Sequence, residues 1–219
     1  MNRHCVFVTG ATGYMGRALI ERLHALGHRV RALARATSAA RVPAGADVVI
    51  GEALDAGSYA ASLAPADTLV HLVGTPHPNP RKAREFIDVD LRSLQQALIA
   101  ARSAPIAHLV YVSVAQPAPV MREYVAARAA AERAVRDAGI TATVLRPWYV
   151  VGPGHRWPLL LVPLYALAAT LPSTRETARR LGLVTLGQMV AALAHAVDTP
   201  PARGALRICA VPCIREHSD

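Results

Sequence analysis

Short runs of apolar and β-branched residues alternate along the chain with longer segments whose apolar residues recur at helical spacing. Cys5–Thr9, Val30–Ala34, Asp47–Ile50, Thr68–Val73, His108–Val114 and Thr141–Leu145 are runs of the first kind and predict strands. Residues 14–26 put Ala18, Leu19, Leu23 and Leu26 on one face and stop at Gly27, a natural helix C-terminus. Residues 81–103 carry the stripe Phe86, Leu91, Leu94 and Leu98, and an Ala- and Arg-rich helix over 121–138 ends at Gly139. Strands alternating with helices of this length imply an α/β fold: a Rossmann-type, doubly wound parallel sheet with helices on both faces.

After residue 146 the rhythm changes. A Pro/Gly-rich turn, RPWYVVGPGHRWP, leads to an apolar helix near 159–170. A helix near 186–198 opens on the capping-box pair Thr185 and Gln188, and a last strand falls near 205–210. The expected organisation is a Rossmann domain over 1–150 and a small C-terminal substrate lobe, 151–219, packed over the sheet edge.

The first strand–turn–helix carries candidate chemistry. Gly10, Gly13 and Gly16 in TGATGYMG stand where a dinucleotide fold needs a tight turn, a close backbone approach to pyrophosphate and a close helix–strand contact. The free N–H groups and dipole at the helix start favour the anion. An NAD site holds the ribose diol with an acid at the end of the second strand. No Asp or Glu occurs between Glu21 and Asp47, and the position is Arg35. A guanidinium there favours a 2′-phosphate, so NADP(H) is expected over NAD(H).

Composition narrows the chemistry. The 219 residues are 53% hydrophobic and 18% charged, enough to bury a core, with a net charge of +9. Of the 24 basic residues just one, Lys82, is lysine, which excludes lysine chemistry at every other position. The arginines are scattered without interleaved aromatics, so nucleic acid is not an expected partner. The apolar stretch Trp157–Leu171 is short for a bilayer and broken by Pro158 and Pro163. No membrane association is expected, and the chain reads as cytoplasmic and reducing. Three cysteines make no disulfide framework. Cys209, Cys213 and His217 are spaced like helical metal ligands, but Leu206–Val211 reads as strand, so no metal site is expected.

The motifs together resemble the short-chain dehydrogenase/reductase superfamily, in its atypical and extended branch of epimerase/dehydratase-like and NmrA-like proteins. TGATGYMG resembles the family's TGxxGxxG, which adds Thr12, Tyr14 and Met15 to the cofactor contacts. Leu54 and Asp55 in GEALDAGSY sit where the family's acidic residue meets the adenine. Val73 and Gly74 of HLVG match the strand end behind the ribose, and Pro147 of LRPWYVVGPG the turn bordering the nicotinamide. Ser113 of YVSV resembles the active-site serine.

The family's Tyr-x-x-x-Lys is here Tyr124-Val-Ala-Ala-Arg128. The resemblance implies Tyr124 as the acid/base, with Ser113 on the substrate oxygen and Arg128 in the lysine's place. Substrate contacts are expected from Thr75, His77, Gln116, Trp148, Tyr149, His155 and Trp157, for a small, flat, apolar or aromatic molecule. Three functions stay open: NADPH-dependent reduction or oxidation of a small carbonyl or hydroxyl compound, a non-catalytic NADP(H)-binding sensor, and a redox-neutral epimerase or dehydratase. The helices 81–103 and 121–138 match those through which relatives pair, making a homodimer possible.

Overall fold

Seven parallel strands form the central sheet of the computed structural model, which describes residues 3–75, 78–154, 159–160, 170 and 172–217. They are β1 (Cys5–Thr9), β2 (Arg29–Ala34), β3 (Asp47–Ile50), β4 (Thr68–His71), β5 (His108–Val112), β6 (Ala142–Arg146) and β9 (Leu206–Ala210). Their order, β3-β2-β1-β4-β5-β6-β9, reverses direction between β1 and β4. That reversal opens a crevice at the carboxyl ends, where open α/β sheets bind ligands. The central strands β4 and β5 are buried along their whole length, as a sheet covered on both faces requires.

One face packs under α1 (Tyr14–Ala25) and the other under α3 (Arg92–Arg102) and α4 (Arg122–Asp137). A short turn of helix, α2 (Ala83–Glu85), precedes α3. The C-terminal segment is woven into the same architecture. Helix α5 (Pro172–Arg180) leads to α6 (Leu186–Asp198), which packs against α1, and β9 extends the sheet beside β6. Thr185 and Gln188 close the expected capping box on α6. A two-stranded parallel pair, β7 (Tyr149–Val151) and β8 (Leu183–Thr185), stands above the carboxyl end of β6. The apolar helix expected near 159–170 lies largely outside the described residues.

Two local features depart from expectation. The regular helix over 81–103 is interrupted by a π-helical segment, Phe86–Leu91. Phe86, Leu94 and Leu98 remain buried, but Asp90 and Ser93, not Leu91, are the wholly buried residues between Phe86 and Leu94. The second departure is a disulfide between Cys209 and Cys213, with Cys5 free. β9 ends at Ala210 and α7 (Val211–Arg215) starts at once, so the chain reverses and brings the two Cα atoms to 5.4 Å.

Candidate functional site

The three glycines of the β1–α1 turn sit in tight backbone surroundings. Gly10 adopts φ +74°, and a side chain there would meet the backbone of Leu72. A Cβ on Gly16 would fall on the Gly10 carbonyl, so this glycine lets α1 pack onto the turn. Gly13 caps α1 without a side-chain bond, and the first turn holds no acid. The N–H groups of that turn are therefore available to an anion. Arg41 steadies the loop by donating from Nη2 to the Thr12 carbonyl at 3.1 Å.

Beside this turn lies a cavity of about 460 Å³, bounded by Gly10, Thr12, Gly13, Val73 and Gly74 on one side. Arg35, Ser38, Glu52 and Leu54 bound the other. Arg35 is exposed just beyond the end of β2. Asp55 is not a lining residue, because it turns outward and its Oδ1 accepts from the Gly57 N–H at 3.0 Å. Glu52 takes the acidic place in this cavity and was not among the expected contacts. The cradle fits a dinucleotide: a bare helix start for the pyrophosphate, glycines that admit it, and room for the adenosine beyond.

Leu72 is shared with a second cavity of about 580 Å³ at the carboxyl ends of β5 and β6. Tyr14, Ser113, Tyr124, Arg128 and Trp148 supply its polar and aromatic wall, and Pro147 borders it. Met15, Val112, Val114, Met121 and Val150 make the rest largely apolar, and Tyr149 lines it too. Met121, also unforeseen, starts α4 in the left-handed region at φ 56°.

Tyr124, Arg128 and Glu132 follow one another at four-residue steps on α4, so all three face the sheet. Arg128 is 6% exposed, and both terminal nitrogens of its guanidinium are engaged while Nε is buried without a hydrogen-bond partner. Nη2 lies 2.6 Å from Asp90 Oδ1, while Nη1 donates to the Val112 carbonyl at 2.9 Å and to Tyr111 Oη at 3.2 Å. The guanidinium carbon sits 5.3 Å from the centre of the Tyr124 ring. Burial opposes its charge, yet Tyr124, Tyr111 and Asp90 outweigh it and hold Arg128 above the ordinary guanidinium value. A Cβ on Gly74 would fall on Nη2, so Gly74 is needed as much for the arginine as for a ribose.

Thr75, expected as a substrate contact, is instead an anchor. Its N–H and its hydroxyl both donate to Asp90 Oδ2, at 3.0 and 2.6 Å. Gln116 is likewise turned inward, donating to Glu132 Oε1 at 2.7 Å. Ser113 donates to the same oxygen at 2.5 Å, and Arg146 pairs with both oxygens of Glu132. Each buried carboxylate thus holds an arginine and a hydroxyl. His71 closes the floor between Thr9 Oγ1 at 2.8 Å and Ser93 Oγ at 3.2 Å. Burial and the nearby Arg128 charge push it down to about 3, so it stays neutral. Trp148 and Tyr149 meet edge to face at 5.5 Å beside the cavity. His77, His155 and Trp157 lie outside the described residues.

A family model described as NAD(P)H-binding matches residues 10–154. The chain belongs to this family. It is an NAD(P)H-binding protein with the fold of short-chain dehydrogenase/reductase structures.

Three curated relatives of this family member are reductases by name. A ceramide reductase of Caulobacter vibrioides is 31% identical over 184 residues, 81% of this chain and 56% of that protein. A 4-hydroxy-2-methyl-3-oxo-4-farnesyl-3,4-dihydroquinoline-1-oxide ketoreductase of Stigmatella aurantiaca is 33% identical over 67% of this chain and 50% of its own. A divinyl chlorophyllide a 8-vinyl-reductase of Oryza sativa is 32% identical over 65% and 39%. The chain spans about half the length of the curated relatives it matches. Among solved structures, a short-chain dehydrogenase/reductase protein from Agrobacterium tumefaciens with bound NAD shares the fold, with TM-score 0.67 and 17% identity over 94% of this chain and 77% of that one. A UDP-glucuronic acid 4-epimerase from Bacillus cereus does so at TM-score 0.68 and 16% identity, over 94% and 77%. Among the described residues, no helix is long and apolar enough to cross a membrane.

Proposed function

We propose that this chain is an NADPH-dependent reductase of a ketone carried on an apolar molecule, with Tyr124 as the proton donor. The observation that carries the reading is the placement of Tyr124 and Ser113 on the wall of a largely apolar cavity that adjoins the dinucleotide cradle at Leu72. Bound nicotinamide supplies the hydride. Tyr124 holds the proton that the reduced oxygen needs, and the guanidinium over its ring offsets the negative charge left on the phenol oxygen. Asp90 positions that guanidinium. Because Ser113 gives its own proton to Glu132, it offers an acceptor to the alcohol O–H. The names of two relatives, a ceramide reductase and a ketoreductase of a farnesyl-bearing compound, agree with an apolar substrate. Arg35 and Ser38 beside the adenosine cavity support NADP(H) over NAD(H).

One observation favours a second reading, a non-catalytic NADP(H)-binding module: Ser113 and Arg128 are both engaged by buried carboxylates. Incubating the chain with NADPH and a panel of long-chain and polycyclic ketones separates the two. The reductase reading expects NADPH consumed in equal amount to alcohol formed, and NADPH bound more tightly than NADH unless Arg35 is replaced by Ala. NADPH binding without alcohol from any ketone would support the module instead.

A further inference from the structure

A second cluster of chemistry-bearing side chains lies apart from Tyr124. Cys209 at the end of β9, Cys213 on α7 and His217 just beyond it place one ligand atom each within 4.8 Å of one another. Cys209 is buried and the other two are half-buried. The His195 ring, on α6, stands 4.6 Å from that of His217. Three elements thus converge on one point, although only the middle five residues of the trio's nine-residue span, Val211–Arg215, are helical.

We propose that Cys209, Cys213 and His217 form a zinc site when the two cysteines are reduced, with water or His195 in the fourth position. Two thiolates and an imidazole are the soft and borderline donors that zinc selects, and it takes them tetrahedrally. Charge agrees with the assignment. Two thiolates cancel the dication, so the nearby Arg207, which is already bonded to Thr143 and to the Thr199 carbonyl, faces a neutral centre. The disulfide and the metal exclude each other, because both use the same two sulfurs. Reduction breaks the S–S bond with two electrons and two protons from a dithiol donor, itself oxidised to a disulfide. Zinc then displaces the two thiol protons. In the strand register Cys209 lies beside Leu145 and Ala210 beside Arg146, and Arg215 on α7 donates to the Leu183 carbonyl of β8. The bound metal would brace the C-terminal wall behind Tyr149 and Val150.

Cobalt reports this site directly, since thiolate-bound tetrahedral Co²⁺ shows sulfur-to-metal charge transfer in the near ultraviolet. The full chain is reduced with a water-soluble phosphine, which becomes the phosphine oxide by taking oxygen from water, and is titrated with Co²⁺ under nitrogen. The expected result is one equivalent bound with the thiolate band, displaced by Zn²⁺ and lost when diamide reoxidises the pair. Cys213→Ser removes the band and His217→Ala weakens binding, with circular dichroism confirming that both variants fold. A reduced wild-type chain without the thiolate band would overturn the proposal whatever the variants do. So would a band that persists after oxidation or in folded Cys213→Ser.

Discussion

Arg128 Nη2 lies 2.6 Å from Asp90 Oδ1, in a place where Arg128 is 6% exposed and Asp90 wholly buried. The relationship joins the helix that carries Tyr124 to the π-helical segment and, through Thr75, to the end of β4. Removing one member leaves the other charged and buried, which typically costs about 3–5 kcal/mol. Asp90→Ala should therefore lower stability by about that amount in urea denaturation. The double variant Asp90→Leu/Arg128→Met should recover most of the stability without restoring reductase activity. Equal losses in the single and double variants would show that the charge pair is not the cause.

The glycine turn gives a prediction of a different kind. Gly16→Ala sets a methyl against the Gly10 carbonyl and within 2.9 Å of Ala11 Cα, which are backbone atoms that cannot swing away. Overpacking of this sort costs about 1–3 kcal/mol. It should also shift the turn that receives the pyrophosphate. Thermal denaturation should show a lower midpoint for Gly16→Ala and little or no rise on adding NADPH.

Two buried histidines set an acid limit on stability. Burial and Arg128 hold His71 down to about 3, and burial with Arg207 holds His108 down to about 4, against an ordinary value of 6.5. Both are neutral in the folded chain and become protonated when it unfolds below pH 6.5. The unfolded state then binds more protons, so their contribution is complete above pH 6.5 and is lost as pH falls toward 4. Each group should steepen the decline by up to about 1.4 kcal/mol per pH unit. Denaturation midpoints across this window should fall with acid, and His108→Gln should flatten the slope.

Much of this arrangement is legible in the sequence because it depends on local rules. The glycine spacing, the apolar strands and the capping box at Thr185 each follow from a few neighbouring residues. Asp90 and Glu132 are different. In FIDVDLRS and AAAERAVRD each reads as an ordinary charge on the wet side of a helix. Their roles depend on a π-helical turn and on Arg128 and Arg146 arriving from elsewhere. Glu132 left one usable signal, its four-residue step from Arg128 on the face that also carries Tyr124. The inward turn of Thr75 and Gln116 has the same origin, since each follows a carboxylate that local spacing does not reveal.

The role given to Tyr124 is tested most directly by single-turnover reduction of a ketone substrate with saturating NADPH, wild type against Tyr124→Phe. The ring, its contact with Phe86 at 5.0 Å and the guanidinium over it can all persist without the hydroxyl. Loss of general-acid assistance should slow the chemical step by about 10²-fold or more, with NADPH affinity unchanged. An unchanged rate in Tyr124→Phe would contradict the account.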